Sequence, residues 1–171
     1  MTAESCAFIV MGVAGAGKST VAAGLAAHFG AVFVEGDDFH PPANVEKMTR
    51  GEPLSEADRA PWIDALAAAI QNAPPGEVFA SCSALTPGVR ARLLEKTGRP
   101  TQFLFLDASI DVIRRRLEAR QGHFMKTHML KSQFEALQRP EKAIVVDAAQ
   151  TADGVLAAAI DAVETRLRGA G

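Results

Sequence analysis

Five short stretches of the chain, residues 7–11, 32–34, 78–80, 103–106 and 143–146, are apolar without interruption. A strand with one wet face alternates apolar and polar positions, so continuous hydrophobicity marks strands covered on both faces, as in a parallel sheet. Helical periodicity fills the intervals. Val21, Ala22, Leu25 and Phe29 share one face of a helix spanning residues 18–29. Trp62, Ile63, Leu66 and Ile70 mark a second, with Pro61 suited to its first turn and Trp62 most simply a core anchor. Ile110, Ile113 and Leu117 mark another, whose far side carries Arg114, Arg115 and Arg116, and Leu156, Ile160, Val163 and Leu167 mark the last. Pro74-Pro75-Gly76 and Gly98-Arg99-Pro100 read as turns at strand entrances. Strands alternating with helices in this way predict an α/β fold with a doubly wound, five-stranded parallel sheet. No internal repeat, linker or low-complexity tract interrupts the 171 residues, which predicts one domain over 1–171.

Composition narrows the partners. A formal charge of -2 offers no field for a nucleic-acid backbone or an anionic membrane, so a small-molecule substrate is expected. Cys6 and Cys82 fall in or beside buried strands and read as reduced core thiols. No apolar run approaches the roughly 20 residues of a spanning helix. Glu4 stands where a secretory signal would carry basic charge, and a cytoplasmic location is expected.

The first strand runs straight into Gly12-Val13-Ala14-Gly15-Ala16-Gly17-Lys18-Ser19-Thr20, a complete P-loop. A polyphosphate needs backbone N–H groups converging on it, and Gly12, Gly15 and Gly17 leave that approach bare. The following helix adds its orphan N–H groups and a partial positive charge, Lys18 reaches the β- and γ-phosphates, and the Ser19 hydroxyl is a ligand for Mg²⁺. ATP with Mg²⁺ is the expected cofactor pair.

After the second strand come Glu35-Gly36-Asp37-Asp38-Phe39-His40-Pro41, at the sheet edge that opens onto the nucleotide crevice. Asp37 is the candidate general base for a hydroxyl nucleophile, and Glu35, on the same side of an extended strand, is a candidate for the Mg²⁺ water shell. His40 stands between a substrate contact and a packing role. Ser83 sits at the tip of the third strand, and Arg90 lies in the next helix, where a solvated face is the simpler reading. Residues 120–138 open with Gly122 and gather His123, Lys126, His128 and Lys131, a basic stretch suited to a lid that keeps water from a phosphoryl-transfer site.

These motifs, in order, resemble the gluconokinase family: the P-loop, then Gly36-Asp37-x-x-His40-Pro41, Asn44-x-Glu46-Lys47-Met48-x-x-Gly51-x-Pro53-Leu54, Asp58-Arg59-x-Pro61-Trp62, Cys82-Ser83-Ala84-Leu85 and Gly122-His123-Phe124-x-Lys126-Thr127-x-Met129-Leu130. The resemblance implies a P-loop kinase fold akin to adenylate and shikimate kinases, ATP-dependent phosphorylation of the 6-hydroxyl of D-gluconate, and a homodimer. It adds Lys47, Arg59 and Arg90 as cationic substrate contacts, with His40, Ser83 and His123 beside them, and Arg120 and Lys126 as lid cations for the transferring charge. Two stretches depart from the family pattern. Thr86-Pro87-Gly88-Val89-Arg90 replaces Lys-x-x-Tyr-Arg, and Arg139 precedes Pro140 where an acidic residue is usual. A P-loop kinase for another small hydroxylated acid, such as shikimate, is the competing reading. A GTPase switch is disfavoured because the chain has no Asn-Lys-x-Asp motif.

Overall fold

In the computed structural model, which describes residues 5–120 and 127–170, five parallel strands form one sheet in the order β2-β3-β1-β4-β5. They are β1 (Ala7–Met11), β2 (Val32–Glu35), β3 (Val78–Ser81), β4 (Thr101–Asp107) and β5 (Ile144–Asp147). Helices α1 (Lys18–Phe29), α2 (Pro42–Thr49), α3 (Glu56–Gln71), α4 (Pro87–Lys96), α5 (Ile110–Ala119), α6 (Thr127–Ala136) and α7 (Ala152–Gly169) connect and cover them.

The central strand explains the continuous apolar runs. All five residues of β1 are buried, and successive side chains point to opposite faces. Phe8 and Val10 join one core with Val21, Ala22 and Leu25 of α1 and Val155, Ala159 and Val163 of α7. Ala7, Ile9 and Met11 join the other, with Trp62, Ile63, Leu66 and Ile70 of α3 and Val89 and Leu93 of α4.

Four strands run one residue past their apolar stretch, ending in Glu35, Ser81, Asp107 and Asp147. The registers Glu35↔Ser81 and Asp107↔Asp147 carry the ladder to polar residues at the carboxyl edge, where hydrogen-bond partners are at hand, buried Ser81 included. At the other end β4 starts at Thr101, paired with Ala7, and β5 begins at Ile144 rather than Ala143. Pro61 is also placed differently from the sequence expectation. Ser55 caps α3 through a reciprocal box with Asp58, so the helix starts at Glu56 and Pro61 lies in its interior.

The sharpest packing constraint lies where β2 turns into a 3₁₀ turn, Gly36–Phe39. A Cβ on Gly36 would lie 1.9 Å from the Ser81 carbonyl oxygen, a backbone atom that cannot swing away. Gly36→Ala is therefore expected to cost about 2–4 kcal/mol, or to prevent folding, as overpacking against backbone does. Chemical denaturation monitored through Trp62 fluorescence checks this, and a loss under about 0.5 kcal/mol, the range of an ordinary surface substitution, would contradict the close approach.

Candidate active site

The P-loop joins β1 to α1 at the middle of the sheet's carboxyl edge. Gly17, at φ 96°, is the left-handed residue that turns the chain into α1, and a Cβ there would meet nothing within 4 Å. Glycine is thus needed for its dihedral rather than for space. Lys18 folds back so that Nζ donates to the Val13 carbonyl at 3.0 Å. Burial pushes its pKa down from the ordinary lysine value, while the carboxylates of Asp37 and Glu35 oppose the shift. Ser19 and Thr20 are exposed in the first turn of α1. Gly12 N–H donates to the Ser83 carbonyl at 3.3 Å, tying the loop to the end of β3.

Beside the P-loop lies a cavity of about 280 Å³ that gathers Lys18, Asp37, His40, Arg59, Ser83 and Thr86. Its apolar wall includes Met48, Leu54, Trp62, Leu85 and Met129. His40 stacks on Trp62 with ring centroids 4.0 Å apart and planes 19° apart. Trp62 is held in turn by its indole N–H, which donates to the Gly36 carbonyl at 2.8 Å. Arg59 Nη1 donates to Glu56 at 2.8 Å from the cavity rim. Ala84 adopts φ 46°, the one left-handed non-glycine residue among those described, in the loop that brings Ser83 into the cavity.

The other candidate residues stand elsewhere. Lys47 Nζ donates to Asp58 Oδ2 at 2.7 Å, and Arg90 is turned inward, where Nη1 donates to the Ala84 carbonyl at 2.8 Å and Nη2 to the Gln138 carbonyl at 2.9 Å. Neither lines the cavity. Glu35 accepts the Ser81 hydroxyl proton at the sheet edge. Arg120 is exposed at the end of α5, and His123 and Lys126 lie outside the described residues.

The two departures from the family pattern have local explanations. Thr86 accepts from Val89 N–H and caps α4, with Pro87 in the first turn. Arg139 forms a bidentate pair with Asp107 at 2.9 and 2.6 Å and lies over the Phe105 ring.

Two residues absent from the sequence-based site bear on it, one lining the cavity and one behind it. Gln133 of α6 lines the cavity, and its Oε1 accepts the Ala14 N–H of the P-loop at 2.6 Å. Nothing local signals this partnership across 119 residues. Asn44, 3% exposed on α2, reaches both His40 and the Asp58 carbonyl. Its position four residues after His40 was visible, but its role depends on α2 being a helix packed beside α3.

A parallel sheet with a P-loop at its centre, adjoining a cavity lined by two carboxylates and two cations, defines the class of P-loop small-molecule kinases. A sequence-family profile described as an AAA domain matches residues 8–140. The chain is 44% identical to a thermoresistant gluconokinase of Escherichia coli, over 92% of this chain and 93% of that protein. It is 46% identical to a gluconokinase of Gluconobacter oxydans, over 77% and 75% of the respective chains. The crystal structure of a gluconokinase from Sinorhizobium meliloti superposes with a TM-score of 0.88 at 35% identity, covering 98% of this chain and 95% of the other. The chain belongs to the gluconokinase family.

Three expectations follow from the local chemistry. Arg90→Lys replaces a planar fork bridging two carbonyls by a single point donor, which should cost about 1–3 kcal/mol of stability in urea denaturation. Asp58 is held down to about 2 by the Lys47 ammonium and by Ser55. A carboxyl with a depressed folded-state pKa stabilises above its unfolded value and loses that contribution as pH falls. The stability gap between wild type and Asp58→Asn should therefore close between about pH 4 and pH 2, read as Tm against pH. Burial pushes the Cys82 thiol up to about 12. Iodoacetamide at pH 8 should alkylate half-buried Cys6 ahead of Cys82, with Cys82 labelled only after denaturation.

Proposed function

We propose that this protein transfers the γ-phosphoryl group of ATP to the 6-hydroxyl of D-gluconate, yielding ADP and 6-phospho-D-gluconate. The observation that carries this reading is a cavity lined together by Asp37, Lys18, the P-loop residue Ala14, Arg59, His40 and Ser83, in a chain of the gluconokinase family. A sugar acid needs a cation at its carboxylate end, and Arg59 supplies a forked one. Hydroxyls along the polyol need mixed donors and acceptors, and Ser83, Thr86 and His40 supply them.

In the reacting geometry the 6-hydroxyl oxygen attacks the γ-phosphorus, the bond to the ADP oxygen breaks, and Asp37 accepts the hydroxyl proton. Lys18 leaves the Val13 carbonyl to meet phosphate charge, a change that costs little because its partner is a neutral carbonyl. Mg²⁺ neutralises phosphate charge when bound. Ser19, exposed in the first turn of α1, would ligate the ion directly, and Glu35 would hold a water of its shell. The described residues contain no cluster of three or more His, Cys, Asp or Glu able to hold a metal. That fits an ion which takes one or two protein oxygens and completes its shell with phosphate and water.

Residues 120–138 would form the lid. Support comes from α6, where Leu130 is buried against the core while Met129 and Gln133 reach the cavity. Arg120, His123 and Lys126 would then close over the transferring group, His123 on the acceptor side. Lys47 and Arg90 would act on the acceptor by holding the walls of its cavity, given the partners described above. A homodimer and a cytoplasmic location complete the proposal, supported by family membership; among the described residues no helix is long and apolar enough to cross a membrane.

A coupled ADP-release assay across sugar acids and shikimate tests the substrate, with gluconate expected to give the highest kcat/KM. Asp37→Asn should retain ATP affinity within about 1 kcal/mol while kcat falls roughly 10²-fold or more. Lys18→Ala should lose about 10²- to 10³-fold in rate. Wild-type turnover in Asp37→Asn would remove it as the base.

A further inference from the structure

We propose that Asn44 is a positioning residue that holds His40 in its Nε2–H tautomer, so that the imidazole presents a neutral hydrogen-bond donor to an oxygen of the acceptor substrate. The orientation of the Asn44 amide follows from its surroundings. Its nitrogen lies 2.9 Å from the Asp58 backbone carbonyl, which only accepts, so the NH₂ end must face that way. The same nitrogen lies 3.3 Å from His40 Nδ1. An amide nitrogen has two hydrogens and no acceptor capacity, so one hydrogen goes to each partner and Nδ1 must be bare. A neutral imidazole with a bare Nδ1 carries its proton on Nε2.

The ring has little freedom to escape this arrangement. It is stacked on Trp62, whose indole is itself fixed to the Gly36 carbonyl, and Asn44 is buried. Nδ1 is turned toward α2, and Nε2, at the far side of the ring, is left to the cavity that His40 lines. Protonating Nδ1 would set an N–H against the Asn44 N–H, so the imidazolium forfeits this bond. Burial also lowers the His40 pKa, with Asp37 opposing. The charged groups sharing the cavity are Lys18 of α1, Asp37 of the 3₁₀ turn, Glu52 of the α2–α3 connection and Arg59 of α3, while the nearby Asp58 carboxylate is paired with Lys47. An Nε2–H donor needs no titration to work, because both the neutral tautomer and the imidazolium retain it. Acceptor KM in the wild type should therefore vary little between pH 6 and pH 8.

The part of this inference that concerns the acceptor rests on the proposed gluconate kinase activity, whereas the tautomer does not. Uniformly ¹⁵N-labelled, ligand-free protein at pH 7.5 is examined by long-range ¹H–¹⁵N correlation, with His40 assigned among the four histidines by its loss in His40→Gln. The expected result is a protonated Nε2 and a bare Nδ1. An Nδ1–H tautomer or a charged ring in the wild type overturns the proposal without reference to any substrate. Asn44→Asp places an acceptor opposite Nδ1, so the variant should show Nδ1–H, with a raised His40 pKa. Its KM for gluconate should rise about 5- to 10-fold at pH 8, where Nε2 is bare, and return toward the wild-type value at pH 6, where the imidazolium restores the donor. Its kcat should change less than about two-fold, because the donor is bound equally in the ground and transition states. A KM as flat with pH as that of wild type, in a variant whose tautomer has switched, overturns the acceptor contact. Should Asn44→Asp fail to fold, the wild-type spectrum still decides the tautomer.

Discussion

The contact between the end of β2 and the end of β3 is the constraint on which the site depends. Gly36 lies so close to the Ser81 carbonyl that no side chain fits between them. The Ser81 hydroxyl uses the same proximity, accepting the Gly36 N–H at 3.1 Å and donating to Glu35. The Gly36 carbonyl, facing the other way, receives the Trp62 indole N–H. Gly36, through its N–H and its carbonyl, thus locks two strands and α3 together, leaving Asp37 at the cavity and a flat indole surface on which His40 rests. Loosening this contact would displace the proposed base and the acceptor wall at once, since both are attached to the residues that follow Gly36.

Arginines maintain the remainder of the carboxyl edge and its opposite end in a similar way. Arg90 joins the Ala84 loop to Gln138 beyond α6, and Arg116 joins α5 to the β5–α7 connection through the carbonyls of Ala148 and Gln150. At the far end of the sheet, Arg99 gathers the carbonyls of Gln71, Ala73 and Gly76. Loop carbonyls in partly buried positions need donors, and a guanidinium serves several from one side chain. This structural demand competes with phosphate and carboxylate binding for the same residue type. Arg59, tethered to Glu56 three residues earlier on the same helix, reaches the cavity, whereas Arg90 is spent on the backbone.

The exchange of family residues at Thr86 and Arg139 fits the same economy of partners. Thr86 gives up a cation but supplies the cap of α4, with Pro87 matched to the first turn. Arg139 finds Asp107 at the carboxyl end of β4 and the face of Phe105. Each replacement is accommodated by a neighbour already present in the chain, which leaves the backbone path around the P-loop intact.

Much of this protein was legible in its sequence because the relevant physics is local. Continuous apolar runs follow from burial on both faces, so all five strands could be placed, and α1 could be bounded at Lys18 and Phe29. The P-loop depends on glycine dihedrals and a helix N-terminus within nine residues, which makes it readable from spacing alone. Strand ends were less visible, because Glu35, Ser81, Asp107 and Asp147 are held by ladder register rather than by hydrophobicity. The start of α3 was misplaced where a capping box at Ser55 outweighed the usual preference of proline for a first turn. Only the tertiary structure decided which cations reach the cavity, since Lys47 and Arg90 differ from Arg59 by the partners that folding brings to them. It alone set the partner of the Ala14 amide, a glutamine 119 residues away, and the hydrogen-bonding face of His40. Hydrogen bonds between distant segments depend on geometry of a few tenths of an ångström, and residue type by itself carries no such distance.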